Sequence, residues 1–166
     1  MRNFTWAKVP GALDDTWCDA LKAAAGDTDH IVMAHRTHPM FLLGMKQCAD
    51  IARQYLGPDV SGLSSEFFGL SRGLGTHTDN DYVLALPGTF LSVWVALDDV
   101  TDRNGPLVID GSPVFCRKGD ALVMDGDTPH RSCAGIGRRP VALFTYIKAG
   151  MPFRPGNTQK RTEVAV

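Results

Sequence analysis

A change of period at Gly62 constrains this chain more than any other feature of its sequence. Beyond that point apolar residues come in short runs rich in Val, Leu and aromatics: 90–97 (FLSVWVAL), 107–109, 121–124 and 141–147. Turn signals divide them, namely Pro87-Gly88, Asn104-Gly105, Asp110-Gly111, Lys118-Gly119-Asp120 and Asp125-Gly126. Strands of this length and spacing close into a sandwich, barrel or jelly roll rather than a parallel α/β sheet. Before Gly62 the spacing is helical. Residues 14–25 place Trp17, Leu21 and Ala24 on one face, with Asp14 or Asp15 available as a cap. Residues 39–56 repeat Phe41, Met45, Cys48, Ile51 and Tyr55 at helical spacing and stop at Gly57-Pro58. These two helices are expected to cover one side of the strand-rich part. From Arg154 onward the chain is polar and aperiodic, which predicts a loose tail. At 166 residues the expected organisation is a single domain, 1–166. It divides into a helical flank at 1–63, a β core at 64–150 and a polar tail at 151–166.

Charge and cysteines narrow the partners. A net charge of −1 and a pI near 6.5 provide no broad basic field for nucleic acid or an anionic membrane, so neither partner is expected. The stretch Met1–Pro10 (MRNFTWAKVP) lacks the apolar run of a secretory signal, and no stretch reaches the roughly 18 apolar residues of a membrane span. Cys18, Cys48, Cys116 and Cys133 are scattered without a C-x-x-C pair, which predicts reduced thiols and a cytoplasmic location.

The residues that can carry chemistry fall in the second half. In His77-Thr78-Asp79 an imidazole and a carboxylate stand two residues apart, and on a strand such positions face the same side. His130 follows within Asp125-Gly126-Asp127-Thr128-Pro129-His130, just past an expected strand. Arg139 enters the apolar run 141–147, where its charge needs an anionic partner, and its planar fork suits a carboxylate. Arg138 next to it points the other way on a strand, so only one of the two can serve. His30, His35 and His38 have no ligand-like spacing and read as structural. In combination, two histidines and one carboxylate fill one face of a six-coordinate Fe(II) and leave three positions open. A 2-oxo acid can take two of these and O2 the third, while an arginine further off receives the distal carboxylate.

Several ordered blocks then resemble the phytanoyl-CoA dioxygenase family of Fe(II)/2-oxoglutarate-dependent oxygenases, over about Glu66 to Tyr146. They are His77-Thr78-Asp79, residues 91–99 (LSVWVALDD), residues 104–109 (NGPLVI) with Gly111-Ser112, Gly119-Asp120, His130, and Arg139-Pro140-Val141 ending at Tyr146. The resemblance implies a mainly β fold with flanking helices around a double-stranded β-helix, a cupin-like jelly roll. It implies His77, Asp79 and His130 as catalytic iron ligands and Arg139 as the 2-oxoglutarate anchor, with Arg138 as the alternative. It further implies Ser92 as a hydroxyl contact to the co-substrate, and hydroxylation of a small molecule by O2 with release of succinate and CO2. Asp79 stands where related halogenases carry a small residue. Pro113 replaces a histidine common after the Gly-Ser pair. The chain is also shorter than typical members, from which a small or open substrate cleft is expected. Phe67, Phe68, Arg72, Thr76 and Tyr82 flank the motif and are expected to line that cleft. The other readings are a cupin-like metal-dependent isomerase or binding protein, a non-catalytic interaction module, and an oxygenase acting on a protein side chain.

Overall fold

Asp14 starts the first helix, as its position predicts. Its Oδ1 accepts the Trp17 amide at 2.9 Å, and helix α1 (Asp15–Ala25) follows. Helix α2 (Pro39–Leu56) opens on proline, where a missing N–H leaves no intrahelical bond unmade, and stops at Gly57 in a positive-φ conformation. The buried face of α1 is Cys18, Leu21 and Ala25; it is turned about one residue from the expected stripe, and Trp17 and Ala24 flank it half-buried. These elements come from a computed structural model that describes residues 4–166, so the first three residues of the Met1–Pro10 stretch lie outside it.

Among the described residues eleven strands form two antiparallel sheets. The strands are β1 (Trp6–Val9), β2 (His30–Val32), β3 (Val60–Phe68), β4 (Arg72–His77), β5 (Phe90–Ala96) and β6 (Leu107–Ile109). They continue as β7 (Ser112–Val114), β8 (Ala121–Asp125), β9 (His130–Ala134), β10 (Val141–Lys148) and β11 (Val164–Ala165), with a one-turn helix α3 (Asn80–Val83) after β4. The larger sheet runs β1-β8-β5-β10-β3-β11, with β2 also on β3; the smaller runs β4-β9-β6-β7. This is the mainly β, two-sheet jelly roll that the sequence predicts.

Alternation along the central strands sorts side chains into layers. Leu91, Val93 and Val95 of β5, with Ala142, Phe144 and Tyr146 of β10, face the helices and pack with Leu21, Phe41, Met45 and Cys48. Burying side chains of this size is worth roughly 1.5–3 kcal/mol each. The buried Tyr146 hydroxyl donates to the Met45 carbonyl at 2.6 Å, so its polar tip is not stranded. The opposite positions, Trp94, Leu122, Met124 and Val141, pack against Leu107 and Ile109 of the smaller sheet. Ser92 and Thr145 lie on that same inner side. The alternation therefore delivers a few polar residues into the space between the sheets, and the site is there.

Two differences from the sequence reading bear on that site. The stretch 60–68 (VSGLSSEFF) is a nine-residue strand bonded to β10, β11 and β2. Its buried Ser64 is satisfied by Thr145 at 2.7 Å, and its Ser65 hydroxyl lies 2.7 Å from the His35 amide, which donates to it. Likewise the polar tail is not loose: β11 pairs with Gly62 and Ser61, and both Arg36 guanidinium nitrogens donate to the Gln159 and Lys160 carbonyls at 2.7 Å. All four cysteines are free, with burial pushing Cys18 and Cys116 up to about 11 and Cys48 to about 12. No described helix is long and apolar enough to cross a membrane.

Candidate metal centre

His77 and His130 meet because β4 and β9 pair in a register that sets them opposite each other. Their ring centroids are 4.4 Å apart. His77 closes β4, and β9 begins at His130, where the sequence reading had placed that histidine just past a strand. Asp79 is not on the strand at all. It has helical backbone angles at the entry to α3, so a turn, and not strand alternation, brings its carboxylate round to the imidazoles. Asp79 Oδ1 lies 3.8 Å from His77 Nε2 and 3.7 Å from His130 Nε2. Those separations are too long for hydrogen bonds, so the three atoms face a common point between them. One donor atom from each residue falls within 4.8 Å of the others.

Each ligand candidate has its remaining polar atom occupied. His77 Nδ1 donates to the Gly75 carbonyl at 2.9 Å, and His130 Nδ1 donates to the Thr128 carbonyl at 3.0 Å. A carbonyl can only accept, so Nδ1 carries a proton and Nε2 is the ring nitrogen turned inward. Asp79 Oδ2 accepts the Ser92 hydroxyl at 2.5 Å, which leaves Oδ1 for the shared point. Ser92 is fully buried on β5, and its hydroxyl is directed at this carboxylate instead of at the free space beside it. Two imidazoles and one carboxylate, oriented before any ion arrives, suit a divalent transition metal.

Asn80 is a residue of the site that sequence reasoning missed. Its amide group donates to Asp127 Oδ1 at 2.8 Å and to the Ala85 carbonyl at 3.1 Å, while its Oδ1 accepts the Ala85 amide at 2.7 Å. Its backbone N–H donates to the Gly126 carbonyl at 2.9 Å. The loop carrying Asp79 is thereby tied to the turn that precedes His130. The signal in the sequence was an Asn directly after His-x-Asp, which has no meaning until the 125–128 turn is known to lie alongside.

The triad stands in the wall of a cavity of about 450 Å³ between the sheets. Apolar Phe68, Val83, Phe90, Trp94, Leu107 and Leu143 line it, together with Ser64, Ser132, Thr145 and Arg139. Of the five residues expected to line the cleft, Phe68, Arg72 and Tyr82 do so. Phe67 points the other way into the core against Phe41, and Thr76 is exposed away from the cavity. The mouth is rimmed by exposed Arg72, Leu74 and Tyr82, which gives an open cleft.

The two neighbouring arginines part company. Arg138 is exposed and donates to the carbonyls of Gly26, Asp27 and Thr28, outside the cavity. Arg139 is 4% exposed, lies 5.3 Å from the centroid of the Trp94 ring and donates to the Gly105 carbonyl, while its Nε has no partner. Burial pushes its guanidinium down to about 10, still a cation at neutral pH, with no carboxylate paired to it among the described residues. A buried cation of this kind is stable only if an anion reaches it.

Sequence comparison then decides the family. The profile of the phytanoyl-CoA dioxygenase family matches residues 9–112, more than half of the chain. The chain belongs to that family. The family match begins well before the blocks singled out in the sequence and stops short of His130 and Arg139, whose place beside His77 and Asp79 comes from the fold. Solved structures similar to this family member include SnoK, a non-heme alpha ketoglutarate dependent carbocyclase from nogalamycin biosynthesis, at TM-score 0.82 and 18% identity, over 99% of this chain and 93% of that one. SnoN, an epimerase from the same biosynthesis, is similar at TM-score 0.81 and 19% identity, over 93% and 82% of the two chains, and is known in complex with Fe3+, alpha ketoglutarate and nogalamycin RO. EctD from S. alaskensis, with 2-oxoglutarate and 5-hydroxyectoine, is similar at TM-score 0.75 and 18% identity, over 92% and 75%. At such identities the likeness is one of fold. No curated protein matches the chain.

Proposed function

We propose that this protein is an Fe(II)- and 2-oxoglutarate-dependent oxygenase that hydroxylates a C–H bond of a small molecule. The observation that carries this reading is the orientation of the triad. Two Nε2 atoms and one carboxylate oxygen, each with its other polar atom already bonded, face one point beside a cavity that also holds an unpaired guanidinium. His77, Asp79 and His130 would hold the ion, and Ser92 fixes which Asp79 oxygen is offered. Arg139 would take the side-chain carboxylate of 2-oxoglutarate, with Trp94 against its guanidinium. When bound, ferrous iron and 2-oxoglutarate supply oxidation by O2, with succinate and CO2 as the co-substrate's products. The chain itself contributes orientation and a largely apolar wall that limits water around the reacting groups.

Support from the relatives is of two kinds. Family membership and the SnoN structure point to iron, and the SnoN, SnoK and EctD structures to 2-oxoglutarate as co-substrate. Their named activities, epimerisation and carbocyclisation among them, set hydroxylation as the outcome to be measured. A small-molecule substrate fits the cavity volume.

The test is anaerobic reconstitution with Fe(II), followed by 2-oxoglutarate. The weak visible absorption of a 2-oxo acid chelate should appear, vanish in His130→Ala and weaken in Arg139→Ala. Iron-loaded, folded protein without that band would favour the cupin-like metal protein or the non-catalytic module.

A further inference from the structure

Arg161 enters the cavity from a part of the chain that has no share in the triad. The turn at 155–161 is closed by the Arg161 amide on the Pro155 carbonyl at 2.8 Å and held from outside by Arg36. Beyond it, Glu163 accepts the Ser61 hydroxyl at 2.6 Å and β11 joins the larger sheet. These contacts fix the Gln159 and Arg161 side chains in the cavity wall.

Their polar atoms are left unmatched. Arg161 is 7% exposed; its Nη1 makes only long hydrogen bonds, 3.3 Å to the Tyr82 carbonyl and 3.4 Å to the Pro155 carbonyl, and its Nε has no partner. Gln159 Oε1 is buried and has no donor. Glu66 lines the same cavity and its charge acts on Arg161 from a distance, but its Oε2 lies 2.9 Å from His30 Nε2, and Arg161 forms no ion pair in direct contact among the described residues. A guanidinium in this position is costly unless an anion arrives with a ligand. The cavity thus holds two such cations on different walls, Arg139 against Gly105 and Trp94, and Arg161 against the Tyr82 carbonyl of α3. 2-Oxoglutarate has one distal carboxylate and can satisfy only one of them.

We propose that Arg161 and Gln159 form the substrate's recognition site, and that the substrate is a small organic acid with a hydroxyl or amine next to its carboxylate. The inference rests on the function proposed above. Arg161 takes the carboxylate, and Gln159 Oε1 accepts the neighbouring O–H or N–H. Glu66 in the same wall opposes a second negative charge, which favours a monocarboxylate over a phosphate. The substrate's apolar body lies against Phe68, Val83 and Phe90.

The experiment is calorimetric titration of iron-loaded, 2-oxoglutarate-saturated protein under anaerobic conditions with mandelate, 3-phenyllactate and the methyl ester of each. The acids should bind roughly 10- to 100-fold more tightly than their esters, as expected for one charged hydrogen-bonding partner. Arg161→Gln should erase that preference, and Arg161→Lys should keep part of it, with circular dichroism confirming the fold of both. Equal affinity for acid and ester, no binding of either acid, or an undiminished preference in Arg161→Gln overturns the proposal. Loss of the 2-oxoglutarate band in Arg161→Gln overturns it too, since Arg161 would then be the co-substrate's anchor. Absence of that band in the wild-type protein is the separate result that removes the functional reading itself.

Discussion

A carboxylate side chain turns freely about its last bond, and Ser92 removes that freedom from Asp79. The hydroxyl donates to Oδ2 at 2.5 Å from a position with no exposure to solvent, so one oxygen is committed and the other is aimed. In the sequence Ser92 was legible only through the resemblance, which assigned it to the co-substrate. In the structure its hydroxyl meets Asp79, 13 residues away, which reaches it through a turn that no periodicity announces. Ser92→Ala leaves Asp79 able to rotate, and its Fe(II) affinity should fall roughly 10- to 100-fold, as is typical when a residue orienting a metal ligand is lost. Competition against a fluorescent chelator measures this, and an unchanged affinity would mean that the hydroxyl orients nothing.

At the scale of elements, the turn before β8 is the joint between the helical layer and the sheets. Gly119 has φ +87°, and a Cβ there would meet the Leu13 carbonyl oxygen at 2.2 Å, so only glycine allows this approach. Asp120, beside it, receives the Gly11 amide at 3.1 Å, the Arg117 amide at 3.0 Å and the Lys8 ammonium at 3.0 Å. Burial alone would push its carboxyl up, but the Arg117 amide, Lys8 and the Gly11 amide outweigh that and hold it below its ordinary value. A carboxyl lowered on folding adds stability above its unfolded value, near 3.8, and loses it as pH falls through the lower folded one. Asp120→Asn should therefore cost about 2 kcal/mol at pH 7, and the deficit should shrink below about pH 4. Urea unfolding at pH 7 and pH 3 tests the sign; a deficit that is the same at both would exclude the charged form as its source. The strands flanking this joint were legible, since β5, β6, β8 and β10 are apolar on both faces. Strands β3, β4 and β9 were not. In β3 the buried Ser61, Gly62, Ser64 and Ser65 interrupt Val60, Leu63 and Phe67, and β4 and β9 bury or half-bury only His77, His130, Ser132 and Cys133, so none of the three gives a clear hydropathy signal.

For the molecule as a whole, Arg36 holds the last turn in place across more than 120 residues of sequence. Arg36→Ala should release that turn, seen as faster limited proteolysis within residues 155–161 while β10 stays protected; equal cleavage rates would leave β11 and Glu163 as the sufficient anchors. That long-range grip explains why the tail read as loose: its neighbours in space, among them Arg36, β3 and Tyr82, are remote in the chain, and most of its own residues are polar. The His-Asp-His triad could be read because its residue types and spacing are chemically distinctive. Arg161 and Gln159 could not, because their meaning depends on where the tail goes. Within the triad the two histidines share a further feature: each takes its orientation from a carbonyl only two residues back along its own strand or turn. Two of the three candidate ligands are thus set by local backbone, so protein stripped by a chelator should take up Fe(II) again without being refolded.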